Sequence, residues 1–225
     1  MNKFFGIVAL AGIAAAVNAQ TATYTWQVSN DNGASWSASV AAATGATVKV
    51  RVLASWAGVT GTDLGYAGGQ FDATLTGAVA GDVVSNILRP SPFAFAAQTL
   101  VATAVVGGQK IDTAADILAP GAGTGWVNPG QPAKDFAPPG GYNSTNGAVV
   151  FTYDVLCSGL NQIAISSVLN ATAGRAMAVY TAAGGSQARI SAPATTIVGA
   201  TILIPTPGAL ALLGLGGLAV ARRRR

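Results

Sequence analysis

Residues 47–56 read TVKVRVLASW, with Val48, Val50 and Val52 alternating with Lys49 and Arg51. A period of two puts the valines on one side of a strand, whereas a helix would scatter them around its circumference. The segment predicts a strand with one face buried and one in water. TATYTWQVS (21–29) alternates in the same way, with Tyr24, Trp26 and Val28 on one face. GQFDATLTG (69–77) sets Phe71, Ala73 and Leu75 inward and Asp72 and Thr74 outward. Further runs at 99–106, 148–155, 162–167, 175–181, 188–191 and 195–203 lie between clusters of Gly, Asn, Asp and Pro, which supply turns. About eight to ten short strands of this kind predict an all-β chain, an antiparallel β-sandwich. DTAADILA (112–119) predicts a helical turn capped by Asp112.

Composition narrows the chemistry. The chain has 225 residues, 51% of them apolar, enough for a core, and only 9% charged. It contains no Glu and no His, which removes a Ser-His-Asp triad, a Cys-His pair and the common zinc ligand sets. The net charge of +4 resides at the ends: Lys3 and Arg222–Arg225 carry five of the twelve cations. Between Gln20 and Ile204, seven Lys/Arg stand against eight Asp. A nearly neutral middle offers no phosphate-binding stripe, so nucleic acid is not expected as a partner.

Both ends read as addresses. Met1–Ala19 places Lys3 before an apolar run that ends in Val17-Asn18-Ala19. The run is short of the roughly 20 residues that a membrane span requires. It predicts a secretory signal cleaved between Ala19 and Gln20. Cys157 is the sole cysteine, so no intrachain disulfide forms on export. With no cation near it in sequence, Cys157 reads as a buried small hydrophobe.

The chain closes on PTPGALALLGLGGLAVARRRR (205–225). The apolar stretch 208–221 would make a helix of about 21 Å, against a hydrocarbon core of about 30 Å. Pro205 and Pro207 separate it from the run before it, and terminal arginines suit a cytoplasmic face. This order of Pro-x-Pro, short apolar helix and arginine cluster resembles the PEP-CTERM sorting signal of exported bacterial proteins. The family's usual Pro-Glu-Pro is here Pro205-Thr206-Pro207, followed by Gly208, and Arg222, Arg223, Arg224 and Arg225 form the cluster. The resemblance implies a transient inner-membrane contact through 208–221 and recognition by an exosortase-like transpeptidase after passage through the secretion machinery. It further implies delivery to the surface or extracellular matrix of a Gram-negative-type bacterium, often alongside exopolysaccharide. Three regions are expected: a signal peptide at 1–19, a sandwich at 20–204 and a sorting signal at 205–225.

The order GATVKVRVLASW…GGQFDATLTG is similar to the opening of cohesin-like and related carbohydrate-binding sandwiches, which implies the same layered fold. Residues 119–147 form a Gly/Pro/Asn-rich segment without periodicity that carries Trp126, Phe136 and Tyr142. Those rings either stack on sugars or pin the loop to the sandwich. Asn30-Asp31-Asn32 is the densest oxygen cluster, but the fuller calcium-loop spacing is absent and the stretch reads as a turn. The acids are scattered, and no pair suits glycoside hydrolysis. The leading expectation is therefore a non-catalytic structural or adhesive surface protein without cofactor or metal. A glycan-binding module and, more remotely, a surface hydrolase are the alternatives.

Overall fold

The computed structural model describes residues 19–61, 65–69, 71–88, 100–111, 147–169, 176–181 and 187–205. Among them run fourteen strands. The first seven are β1 (Thr21–Ser29), β2 (Ser39–Ala41), β3 (Thr47–Ala57), β4 (Gly65–Gly69), β5 (Phe71–Thr76), β6 (Val83–Leu88) and β7 (Ala102–Val105). The others are β8 (Gly108–Ile111), β9 (Ala148–Leu156), β10 (Ile163–Leu169), β11 (Met177–Tyr180), β12 (Gln187–Ile190), β13 (Thr195–Val198) and β14 (Ala200–Leu203). Sheet A has the order β13-β1-β3-β9-β6, sheet B the order β2-β14-β10-β5-β8-β7, and a small sheet C the order β12-β11-β4. The helical turn expected at 112–119 and the two terminal apolar segments lie outside the described residues. Among the described residues, no helix is long and apolar enough to cross a membrane.

The alternating runs fold as their period dictates. Tyr24, Trp26 and Val28 on β1, Val48, Val50 and Val52 on β3, and Phe71, Ala73 and Leu75 on β5 are all buried and share one core with β9, β10 and β14. Aromatic rings tie the layers together. Phe71 of sheet B packs against Tyr24 at 4.8 Å and edge-on against Trp26 and Phe151 of sheet A at 6.0 and 6.2 Å. Trp26 Nε1 donates to Ser167 Oγ across the core at 2.7 Å, which gives the indole N–H the partner it needs when buried. Rings of this size bury about 150–250 Å² each, on the order of 4–6 kcal/mol per ring by area.

Two expectations are corrected. The sandwich is mixed, because β1 pairs with β13 in parallel and so does β14 with β2. Side-chain alternation reports which face is buried and carries no strand direction. Residues 195–203, expected as one strand, also divide at Gly199 between the two main sheets. A Cβ at Gly199 would lie 2.8 Å from the Ile165 carbonyl oxygen, so the crossing point needs a glycine. The number of described strands exceeds the expected range because β2, β4, β6 and β8 are short or lack alternation and because the 195–203 run divides in two.

The sandwich has two unlike ends. Gln20 enters β1 at one, here the leading pole. β13 and β14 run in the direction of β1, so Pro205 leaves at the opposite, trailing pole. At about 3.3 Å per residue the two are on the order of 30 Å apart. Register places the strand ends that flank residues 89–99 and 112–146 at the leading pole. The turns at 30–36, 42–46, 77–82 and 157–162 close the trailing pole.

Candidate functional site

Ala19 and Gln20 are exposed immediately before β1 at the leading pole. Pro205 is partly buried and follows Ile204, which is sealed in the core. Thr206, Pro207, Gly208 and Arg222–Arg225 lie outside the described residues, as do Trp126, Phe136 and Tyr142. The positions that flank the aromatic segment, Ile111 and Gly147, are both at the leading pole. The sorting residue that is described and the aromatic segment's anchors thus stand at opposite ends.

The trailing pole is organised by a buried carboxylate. Asp82, 4% exposed, accepts from the backbone N–H groups of Val79 (2.7 Å), Ser158 (2.7 Å) and Gly159 (3.0 Å) and from the Ser158 hydroxyl (3.2 Å). Burial pushes its carboxyl up, but these donors together outweigh burial and hold it below the ordinary range. Gln109 Nε2 donates to the carbonyls of Val79 and Asp82 and so fixes the other side of the same turn. Cys157 is bound to the 42–46 turn through Gly45 N–H to its carbonyl and its own N–H to the Ala46 carbonyl. Ala42 N–H then reaches the Leu203 carbonyl at 2.9 Å, so the turns held by Asp82 are continuous with the segment that leads to Pro205. Cys157 is fully buried. Burial and then the nearby Asp82 charge push its thiol up to about 11, which suits a packing residue rather than a nucleophile.

The outer face of sheet A is polar. Arg51 lies over the Trp36 ring at 4.2 Å and donates through Nε to Gln27 Oε1 at 2.8 Å. Beside it, Asp154 accepts from Asn86 Nδ2 at 2.8 Å and pairs with Lys49 at 3.4 Å. On the opposite outer face, Lys110 pairs with Asp72 at 2.8 Å. Asp31 accepts from the Ser29 and Ser35 hydroxyls and from Ser35 N–H. Those donors, the Ser29 hydroxyl first, hold its carboxyl far below the usual range. This is the geometry of a turn at 30–35, with Asn32 and Gly33 at positive φ.

Each described carboxylate is therefore occupied in closing a turn or joining strands. Among the described residues, Asp72 and Asp154 sit on opposite outer faces, Asp82 is sealed under a turn and Asp31 is held within its own turn. Among the described residues no group of three His, Cys, Asp or Glu could hold a metal. Sequence reasoning missed Asp82 and Trp36. Asp82 lies in GAVAGDVV (77–84), whose Gly-Asp signals only a turn. Its partners at 158–159 are distant in sequence and come to it only through the pairing of β6 with β9.

No protein-family model matches the chain, and no curated protein matches it. Among solved structures, it is similar to a non-cellulosomal cohesin from the hyperthermophilic archaeon Archaeoglobus fulgidus. That match has a TM-score of 0.33 and 11% identity, covering 82% of this chain and 91% of that one.

Proposed function

We propose that this chain is an exported bacterial surface or extracellular-matrix protein with a structural or adhesive, non-catalytic role, sorted by an exosortase-like system through residues 205–225. One observation carries the reading. The last described strand, β14, is an interior strand of sheet B between β2 and β10, and Ile204 joins the core one residue before the Pro-Thr-Pro signature. The chain therefore enters the address directly from an interior strand of the core, which supports reading 205–225 as a segment separate from the sandwich. The four described carboxylates, each engaged in a turn or a strand pairing, are in keeping with the non-catalytic part.

The test is fractionation of the producing cells with mass spectrometry of the mature ends. The expected product starts at Gln20, is found at the surface or in the matrix, and lacks the arginine cluster. Deletion of the sorting transpeptidase should leave the arginine-bearing form in the inner membrane. Surface-located protein that retains Arg225 would overturn the cleavable-signal reading.

A further inference from the structure

Among the described residues the three sheets have six edge strands, and four are guarded against pairing with another chain. In sheet A, β6 carries a register break with Asn86 at φ 50°. In sheet B, β2 is three residues long. In sheet C, β4 is glycine-rich with a register shift opposite it, and β12 presents the exposed Arg189. Bulges, brevity and charge are the usual guards of a β edge. Of the other two, β13 and β7, each four residues long, β7 carries neither a bulge nor a charge and has the more exposed apolar residues along it. Residues 100–108, LVATAVVGG, contain no charge and no proline, and β7 pairs with β8 in unbroken register. Val101, Val105 and Val106 are 59, 46 and 106% exposed.

The hairpin fixes which backbone groups are open. Val106–Gly107, with Gly107 at φ 79°, has the type II form. Val105 and Gly108 close it as a hydrogen-bonded pair, and Thr103 with Lys110 is the next such pair. The N–H and C=O groups of Ala102 and Ala104 therefore point away from β8. In an antiparallel pairing of two β7 strands about a two-fold axis at Thr103, Ala102 of each copy exchanges both bonds with Ala104 of the other. The same register sets Val101 against Val105 twice and Thr103 against Thr103. Cross-strand β-branched and Thr–Thr pairs of this kind stabilise a ladder. Among the described residues the charges nearest β7, Lys110 and Asp72, pair with each other. Lys110 of one copy would be three strand spacings, about 14 Å, from that of the other, beyond the screening length at physiological salt.

We propose that β7 is a self-association site through which two copies of this chain join their sheets B edge to edge, forming a continuous twelve-stranded sheet. The occupant is a second copy because the register is self-complementary in backbone bonds, apolar pairs and absence of charge. The site rests on the edge geometry alone and stands whether or not the sorting reading does.

Sedimentation of the full chain from about 1 to 100 µM should show a concentration-dependent dimer. T103K, which places two cations on the axis, and A104P, which removes an outward N–H without touching the bonds to β8, should both give monomers with unchanged circular dichroism. T103C should form a disulfide between position 103 of one copy and position 103 of the other on mild oxidation. The Cα separation of a non-hydrogen-bonded antiparallel pair, about 4.5 Å, lies within disulfide range. The link should form at least about tenfold faster than in L88C on the guarded β6 edge, because pairing raises the effective thiol concentration. A monomer throughout the range, a dimer that survives T103K and A104P, or equal cross-linking of T103C and L88C would overturn the proposal.

Discussion

Removal of the Asp82 carboxylate should loosen the whole trailing pole. In D82A the N–H groups of Val79, Ser158 and Gly159 lose their shared acceptor. An orphaned buried donor costs about 1–3 kcal/mol. Ser158 is exposed and Gly159 half-buried, so water can relieve part of the loss. The low end applies, and the total is about 3 kcal/mol for the three donors. D82N keeps one acceptor oxygen and loses the charge, for about 1–2 kcal/mol. Urea unfolding followed by tryptophan fluorescence reads this directly. With a slope of about 2 kcal/mol/M, the D82A midpoint should fall by about 1.5 M.

The pH dependence of that loss identifies the species. The folded Asp82 carboxyl is held below its ordinary value, so its contribution is fully present above the unfolded pKa of about 3.9 and is lost as pH falls through the folded value. The gap between the native protein and D82N should therefore be full at pH 7 and narrow below about pH 4. A D82A midpoint within about 0.3 M of the native one, or a D82N gap that is constant from pH 7 to 3, would refute the buried-anion account.

Two other buried groups make contrasting predictions. Tyr153 Oη is buried without a hydrogen-bond partner among the described residues, whereas Tyr24 Oη donates to the Ala176 carbonyl at 2.8 Å. Y153F should be neutral or stabilising by up to about 1 kcal/mol, a rise of up to about 2–4 °C in Tm. Y24F should be destabilising by about 1–3 kcal/mol; calorimetry that ranks the two the other way would show the partners misassigned. With its thiol pushed up to about 11, Cys157 should be about a thousandth thiolate at pH 8. Native protein should then resist an aromatic disulfide reagent that titrates one thiol per chain in guanidinium, and fast native labelling would contradict the burial.

The sandwich was readable wherever one strand face met the core and the other met water. Val48, Val50 and Val52 against Lys49 and Arg51 are enough to define β3 and its orientation. The signal fails for GYAGG (65–69), where only Tyr66 favours a strand. That segment becomes β4 by pairing with β11, which local sequence does not encode. It fails again at Gly199, where one continuous apolar run is shared between two sheets. The site was less legible than the fold. Asp82 looked like one more turn aspartate because the donors that make it distinctive come from 76 and 77 residues away. Trp36 lies outside every alternating run, and its role depends on Arg51 crossing the outer face to meet it.

The parallel pairing of β1 with β13 decides how the molecule bears load. Tension between Gln20 and Pro205 acts along the strands and pulls β1 and β13–β14 in opposite senses. Their ladder, Ala22 to Thr25 against Thr195 to Val198, lies across that pull. The bonds are strained together in shear instead of being peeled one at a time from an end. Beyond Gly199 the same strand is also gripped on both sides, by β10 and β2. A chain tethered at its trailing pole and tugged at its leading pole thus meets force with its strongest geometry, and its resistance is set by the rate of rupture rather than by equilibrium stability.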